Sequence, residues 1–143
     1  MSYWLAKTEP ETYSYADLVR LGRDRWNGVK NPVALKHLKR MQPGDRVFIY
    51  HTGKQRAIVG VAKVVSAPYP DPESNDPRLI VVDLQPEYLL NRQVTLKEIK
   101  AEPIFQGWAL VRQPRLSVLP VTAEQWELIQ KLSQGSETVL SPR

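Results

Sequence analysis

Two short segments combine aromatic rings with small polar side chains at places where regular backbone should end. The first is Trp26-Asn27-Gly28, a turn that carries a large flat ring, and the second is Tyr50-His51-Thr52, at the end of an apolar strand. If the two segments meet, they form a pocket with stacking walls and hydrogen-bonding edges. Such a pocket suits a nucleobase, because proteins hold unpaired bases by aromatic stacking and by hydrogen bonds to the base edges.

The same residues also fit other roles. A tryptophan beside a turn often belongs to the core, and Asn31 is placed as the N-cap of a helix. His51 at a strand end commonly hydrogen-bonds a nearby carbonyl, or it could act as a general base with Asp45, Glu9 or Ser14 as partner. The spacing fixes none of these partners in space. The residues alone therefore leave recognition, catalysis and packing open.

Positive charge is concentrated in the half of the chain that carries both segments. Residues 1–65 hold twelve basic and five acidic side chains, a net charge of +7, whereas residues 66–143 hold eight basic and ten acidic, a net charge of −2. The whole chain has a net charge of +5 and a pI near 9.6. A basic field is typical of proteins that bind polyanions, so the asymmetry favours a nucleic acid as partner.

The composition excludes several other classes of function. The 143 residues contain no cysteine, which rules out disulfides and thiol catalysis and leaves zinc only two histidines and the carboxylates. No metal is therefore expected. No Gly-rich phosphate loop is present, and no cofactor is expected either. The sequence has no apolar run near eighteen residues and no signal-peptide layout at its start. A cytoplasmic protein without a membrane span is the expectation.

Local signals locate the helices. Ser14-Tyr15-Ala16-Asp17 and Thr95-Leu96-Lys97-Glu98 match capping boxes, and Asn31 before Pro32 predicts the start of another helix. Thr122 opens a last helix, whose apolar side is the i, i+3, i+6 series from residue 126. These helices are short, which suits the edges of a sheet rather than a helical bundle.

The remaining apolar runs predict a sheet. The predicted strands are residues 3–6, 46–50, 57–66, 78–85, 88–91 and 116–121, with an exposed proline-rich loop at 67–78. Gly60, inside an otherwise apolar strand, indicates a bend or bulge. The pattern favours an α+β fold around a barrel-like sheet. A single domain is expected over residues 1–133, with residues 134–143 as a flexible tail.

A series of short motifs, all in one order, resembles the EVE domain, a relative of the PUA and YTH domains. The motifs that carry the resemblance are Trp4-Leu5-Ala6-Lys7-Thr8-Glu9-Pro10, Tyr13-Ser14-Tyr15-Ala16-Asp17-Leu18, Trp26-Asn27-Gly28-Val29-Lys30-Asn31, Met41-Gln42-Pro43-Gly44-Asp45, Tyr50-His51-Thr52 and Ile58-Val59-Gly60-Val61-Ala62. Further matches follow up to residue 121, so the resemblance spans nearly the whole chain. It implies a PUA-like fold, a bent mixed barrel with short helices at its rim.

The resemblance also implies a function, the non-catalytic binding of a nucleic acid whose flipped-out and modified base enters an aromatic-polar pocket. RNA and DNA are both open. Carried over by position, Trp26 and Tyr50 are the cage rings. The polar contacts implied are Lys7, Ser14, Asn31, His51 and Thr52. The loop that holds Arg112 and Ser117 is a further rim. The chain differs from the commoner family pattern at Asn27, Lys30 and Thr52, where Asp, Arg and Ser are frequent.

Phosphates would be bound by the basic residues around this pocket. The candidates are Arg23, Arg25, Lys30, Lys36, Lys39, Arg40, Lys54 and Arg112. Two alternatives to a base reader stay open: an enzyme that processes nucleic acid with His51 as its base, and an adaptor that binds a small ligand or a protein. A monomer is expected in each case.

Overall fold

The computed structural model describes residues 1–134, which form a curled mixed sheet with short helices at its edges. The strands are β1 (Tyr3–Thr8), β2 (Asp24–Trp26), β3 (Arg46–His51), β4 (Ala57–Val64), β5 (Tyr69–Pro70), β6 (Ile80–Thr95) and β7 (Val118–Val121). The helices are α1 (Tyr15–Leu21), α2 (Pro32–Lys39), α3 (Leu96–Lys100), α4 (Ala109–Arg112) and α5 (Ala123–Gln134), and a 3-10 turn covers Pro103–Phe105. The predicted α+β, PUA-like class is confirmed.

The strand order across the sheet is β2-β6-β4-β3-β1-β7, and β5 pairs with β6 off this path. β1 runs parallel to β3, while the other pairs are antiparallel. Because β1 and β3 are parallel, their carboxyl ends share one edge of the sheet, where Lys7 lies opposite Tyr50 and Thr8 opposite His51. This edge is where the polar side chains follow the apolar strands.

The predicted break between strands 78–85 and 88–91 is wrong. β6 is one strand of 16 residues that continues through Pro86. Pro86 pairs with Ala62, whereas Val61 pairs with Tyr88, so Glu87 is an extra residue in the ladder. A proline has no N–H to donate, and a bulge is one of the places where a sheet tolerates it. β2 and β5, of three and two residues, were too short for the hydrophobic pattern to predict.

The last helix differs slightly from the expectation. α5 runs to Gln134, one residue into the predicted tail, and residues 135–143 of that tail lie outside the described part of the chain. Trp126 fixes α5 to the sheet by stacking on Phe48, with ring centroids 3.8 Å apart, and on Tyr3 at 4.5 Å. Among the described residues, no helix combines the length and apolar character needed to cross a membrane.

Gly60 marks the tightest contact between a helix and the sheet. Val59 is an extra residue of β4 at this point, because Ile49 pairs with Gly60 while Tyr50 pairs with Ile58. The bulge predicted at Gly60 is therefore confirmed. A Cβ atom at position 60 would lie 2.7 Å from the ring of Tyr15, so only glycine leaves room for that ring. Tyr15 is buried, and its hydroxyl donates to a backbone carbonyl of β4, that of Val61, at 2.8 Å.

We expect Gly60→Ala to lower the free energy of unfolding by about 1–3 kcal/mol, because the new methyl group must displace a buried ring. Gly107→Ala is the matched control, since a Cβ at that position meets no atom within 4 Å. Urea denaturation of both variants measures the difference. Equal stability of the two variants would mean that Tyr15 can move without cost.

Candidate functional site

A hollow of about 440 Å³ lies beside Trp26, between the ends of β1 and β2. Its lining combines aromatic, charged and hydroxyl-bearing groups. The residues that line it are Lys7, Thr8, Thr12, Tyr13, Asp24, Arg25, Trp26, Asn27, Gly28, Val29 and Ser117. We call this cavity the Trp26 hollow. Its volume lies within the range of about 300–1,000 Å³ in which proteins hold small organic groups.

Two rings and a carboxylate form one corner of the Trp26 hollow. The rings of Tyr13 and Trp26 meet edge to face, with centroids 6.0 Å apart and planes at 83°. Trp26 keeps 7% of its surface exposed, and Tyr13 is half-buried. The Tyr13 hydroxyl donates to Asp24 Oδ2 at 2.7 Å. Burial and this hydrogen bond raise the pKa of Tyr13, so the phenol stays protonated and remains a donor to Asp24.

Lys7 supplies a cation on the β1 side of the hollow. Its Nζ donates to the carbonyl of Pro114 at 2.9 Å and lies 5.7 Å from the centre of the Tyr50 ring. Burial lowers the pKa of Lys7. An ammonium group has three donors, so two remain for a bound molecule. Tyr50, only 3% exposed, lies beneath this cation as part of the floor of the β1–β3 edge.

Local sequence explains how the β2 side is placed. Gly22 ends α1 in the left-handed conformation, with φ of 77°, and the chain reaches β2 two residues later. β2 pairs antiparallel with β6, and Trp26 lies opposite Val82. Gly28, with φ of 82°, then turns the chain away from the sheet. A side chain with a Cβ adopts that conformation only with strain, so the turn predicted after Trp26 depends on this glycine.

His51 belongs to a different hollow, of about 500 Å³, between α1 and β6. Its Nε2 accepts the backbone N–H of Tyr15 at 3.0 Å, which places the ring proton on Nδ1. Nδ1 in turn donates to Gln55 Oε1 at 2.9 Å, and Gln55 Nε2 donates to Gln93 Oε1 at 2.8 Å. Both ring nitrogens are occupied in this relay. His51 therefore connects the start of α1 to the end of β3.

A protein-family model of the EVE domain matches residues 2–132 of the chain. This protein belongs to the EVE domain family. Mouse thymocyte nuclear protein 1 is 32% identical over an alignment 168 residues long, gaps included. The alignment covers 93% of this chain and 74% of the mouse protein. Among solved structures, a protein of Rhodopseudomonas palustris is 40% identical, with 94% of each chain covered and a TM-score of 0.89.

A further EVE relative has been solved with a ligand. The human THYN1 protein, in complex with 5-methylcytosine containing DNA, is 28% identical to this chain and has a TM-score of 0.85. The match covers 94% of this chain and 98% of the human one. The resemblance inferred from the motifs is thus confirmed at the level of family and fold.

The EVE domain does not bring all seven predicted base-binding residues into one cavity. Trp26 and Lys7 line the Trp26 hollow, and Tyr50 lies under Lys7. Thr52 is held at the edge of that region, because its N–H donates to the carbonyl of Thr8 at 2.9 Å. The base-binding role of these four residues stays a prediction.

The other three predicted residues are used by the fold. His51 and Ser14 line the second hollow, and Ser14 Oγ caps α1 by accepting the N–H of Asp17 at 3.1 Å. Asn31 is exposed, and its Oδ1 caps α2 by accepting the N–H groups of Val33 and Ala34. These contacts match the structural roles that the sequence had left open for them. The base-binding role of these three residues also stays a prediction.

Sequence reasoning missed Tyr13 and Asp24 as members of the site. Tyr13 appeared only as the first residue of a motif that carries the family resemblance, and Asp24, between Arg23 and Arg25, drew no prediction. The signal that could have found Tyr13 is the N′ position, since the residue before an N-cap is placed by the helix start. The pairing of β2 with β6, which orients Asp24, has no local signature.

The predicted phosphate-binding residues are spread over several surfaces. Arg23 pairs with Asp83 at 3.0 Å and Arg25 with Glu73 at 3.1 Å. Lys36 is exposed on α2 and Arg40 is exposed at its C-cap, whereas Lys30 and Lys39 line a hollow that also holds the ion pair of Asp76 and Arg78. Arg112 Nε donates to the carbonyl of Gln106 at 3.0 Å, and Lys54 lies at the turn between β3 and β4. Their phosphate-binding role stays a prediction.

We expect His51→Ala to lower the free energy of unfolding by about 1–3 kcal/mol, because the N–H of Tyr15 loses its buried acceptor. Gln55→Ala is the control: it removes the outer partner of the same ring, and residue 55 is exposed, so its cost should be below about 1 kcal/mol. Urea denaturation monitored by tryptophan fluorescence measures both. If His51→Ala is no less stable than Gln55→Ala, the relay does not hold α1.

Proposed function

We propose that this EVE domain is a non-catalytic DNA-binding module that recognises a modified cytosine in the Trp26 hollow. The observation that carries the proposal is the corner in which the Tyr13 and Trp26 rings stand beside the Asp24 carboxylate. The human relative in complex with 5-methylcytosine containing DNA supports the choice of ligand. The basic half of the chain supports a polyanion as partner.

Aromatic contact is the first source of affinity. Stacking of a base on a protein ring contributes roughly 1–3 kcal/mol. Because the Tyr13 and Trp26 rings are nearly perpendicular, a flat base that stacks on one ring meets the edge of the other. Trp26 exposes little surface, so Tyr13 is the more accessible of the two rings. The corner therefore orients a base as well as attracting it.

The polar groups of the hollow match the edge of cytosine. Cytosine offers an exocyclic amine as a donor, for which Asp and Glu carboxylates are the usual acceptors. Asp24 accepts the Tyr13 hydroxyl and the N–H of Arg25, and a carboxylate has about four acceptor sites, so it can still accept from that amine. Lys7 and the exposed amide of Asn27 can donate to the ring nitrogen and carbonyl oxygen of the base.

A methyl group on the base adds a smaller term. Val29 supplies an apolar surface in the hollow, and burial of one methyl-sized group contributes roughly 0.8 kcal/mol, about a fourfold change in affinity. Discrimination by shape is therefore modest. A base in a duplex must also leave its stack, at a cost of a few kcal/mol. Contacts with the DNA backbone have to offset that cost.

The geometry gives less support to the enzyme alternative. A general base needs a free nitrogen within reach of a substrate, and both nitrogens of His51 are hydrogen-bonded inside the protein. Labelled DNA and RNA should therefore stay intact when incubated with the protein, with or without a divalent metal ion. Cleavage that is lost in His51→Ala would restore the enzyme hypothesis.

We expect Trp26→Ala to reduce the ratio of affinities for methylated and unmethylated oligonucleotides to about one, while the salt dependence of binding stays unchanged. Trp108→Ala is the matched control, because Trp108 is equally buried but does not line the hollow. Asp24→Asn, which keeps the shape of the side chain, should weaken binding of both cytosine forms. Fluorescence anisotropy at several salt concentrations measures all three variants.

Circular dichroism identifies any variant that fails to fold. If Trp26→Ala does not fold, Asp24→Asn tests the hollow instead, and unchanged affinity for both cytosine forms would refute the proposal. A folded Trp26→Ala protein that still prefers the methylated oligonucleotide would refute the proposal. Binding with no salt dependence in the parent protein would instead favour an adaptor for a small ligand or a protein.

A further inference from the structure

A depression of about 390 Å³ lies where the β3–β4 turn meets the start of α3. Its charged lining is Lys54 and Arg56 from the turn and Lys97 and Lys100 from α3. We call it the basic depression. Lys97 and Lys100 are three residues apart in α3, so they share one face of that helix. All four side chains are exposed.

The four cations of the basic depression are not engaged in ion pairs. Within the described residues, none of them forms a salt bridge, and no carboxylate lines the depression. The acidic residue of α3, Glu98, caps the helix by accepting from the N–H of Thr95 and pairs with Arg92. In contrast, Arg23 and Arg25 are already paired. The cations of the depression are thus available to an external anion.

The backbone holds this cluster of like charges together. The N–H of Leu96 donates to the carbonyl of Arg56 at 2.8 Å, and Thr95 pairs with Ala57 at the end of the β4–β6 ladder. Arg56 has a positive φ of 42°, a conformation that costs energy in a residue with a side chain. Like charges on a fixed scaffold repel one another, and a concave arrangement concentrates their field. A polyanion relieves that repulsion.

Tyr50 connects the basic depression to the Trp26 hollow. On one side of this ring lies Lys7, which lines the hollow. Arg56, which lines the basic depression, acts on the same ring: burial raises the pKa of Tyr50, and the positive charge of Arg56 opposes that rise. The chain also links the two cavities, because Thr8 lines the Trp26 hollow and its carbonyl accepts the N–H of Thr52 at 2.9 Å, two residues before Lys54. The two cavities are thus joined by a short stretch of chain at the β1–β3 edge.

We propose that the basic depression binds backbone phosphates of the same DNA strand whose modified base enters the Trp26 hollow. The inference rests on the proposed function, because it concerns the same DNA strand whose base is proposed to enter the Trp26 hollow. Arginine offers a planar fork to phosphate and lysine a mobile point charge. Their contribution is independent of sequence and of base modification.

The test is the double variant Lys97→Gln/Lys100→Gln, measured by fluorescence anisotropy with one DNA sequence in methylated and unmethylated forms over a series of NaCl concentrations. Each lost phosphate contact lowers the steepness of log affinity against log salt by about 0.7–0.9. We therefore expect a slope shallower by about 1.5, and an equal loss of affinity for both DNA forms, with the methylation ratio unchanged.

The control is Lys63→Gln/Lys131→Gln, which makes the same change in net charge at two residues that line neither cavity. It should leave the slope as in the parent. An unchanged slope in the α3 variant, or an equal decrease in both double variants, would overturn the proposal. If the slope does not change while the parent still prefers methylated DNA, only this inference fails. The reverse outcome is also distinguishable. If the parent shows no preference for methylated DNA, and the salt slope decreases in the α3 variant but not in the control, the proposed base recognition is refuted and the phosphate surface is supported.

Discussion

The parallel pairing of β1 with β3 is the constraint on which the rest of this EVE domain depends. Two neighbouring parallel strands need a long crossover, and here α1, β2 and α2 all lie within that connection. The crossover therefore brings Tyr13, Asp24 and Trp26 to the edge where Lys7 lies near the end of β1. An antiparallel hairpin in its place would have left no chain to form the other wall of the hollow.

The end of β3 divides its side chains between two cavities. Successive residues of a strand point to opposite faces, so Tyr50 lies under Lys7 while His51 reaches the start of α1. The alternation was readable in the sequence, yet the motif resemblance grouped both residues into one pocket. The structure gives them separate contacts: Tyr50 lies beneath the Lys7 ammonium, and His51 holds the start of α1 in place.

Features decided by neighbouring residues could be predicted, and features decided by distant pairing could not. The capping boxes at Ser14 and Thr95 formed as their spacing indicated. The corner around Asp24 depends on β2 pairing with residues near position 83 of β6, about 60 residues away in sequence. The basic depression likewise joins residues 54–56 to residues 97–100. No pattern within either segment encodes that meeting.

The contact between Gly60 and Tyr15 has a consequence for how this family can diverge. The ring occupies the space that a side chain at position 60 would need, and its hydroxyl also bonds the carbonyls of Val61 and Tyr88. A larger residue at 60 is therefore compatible only with a smaller one at 15, and the smaller one gives up the link between α1 and two strands. Across EVE sequences, a change at one of these two positions should therefore be accompanied by a change at the other.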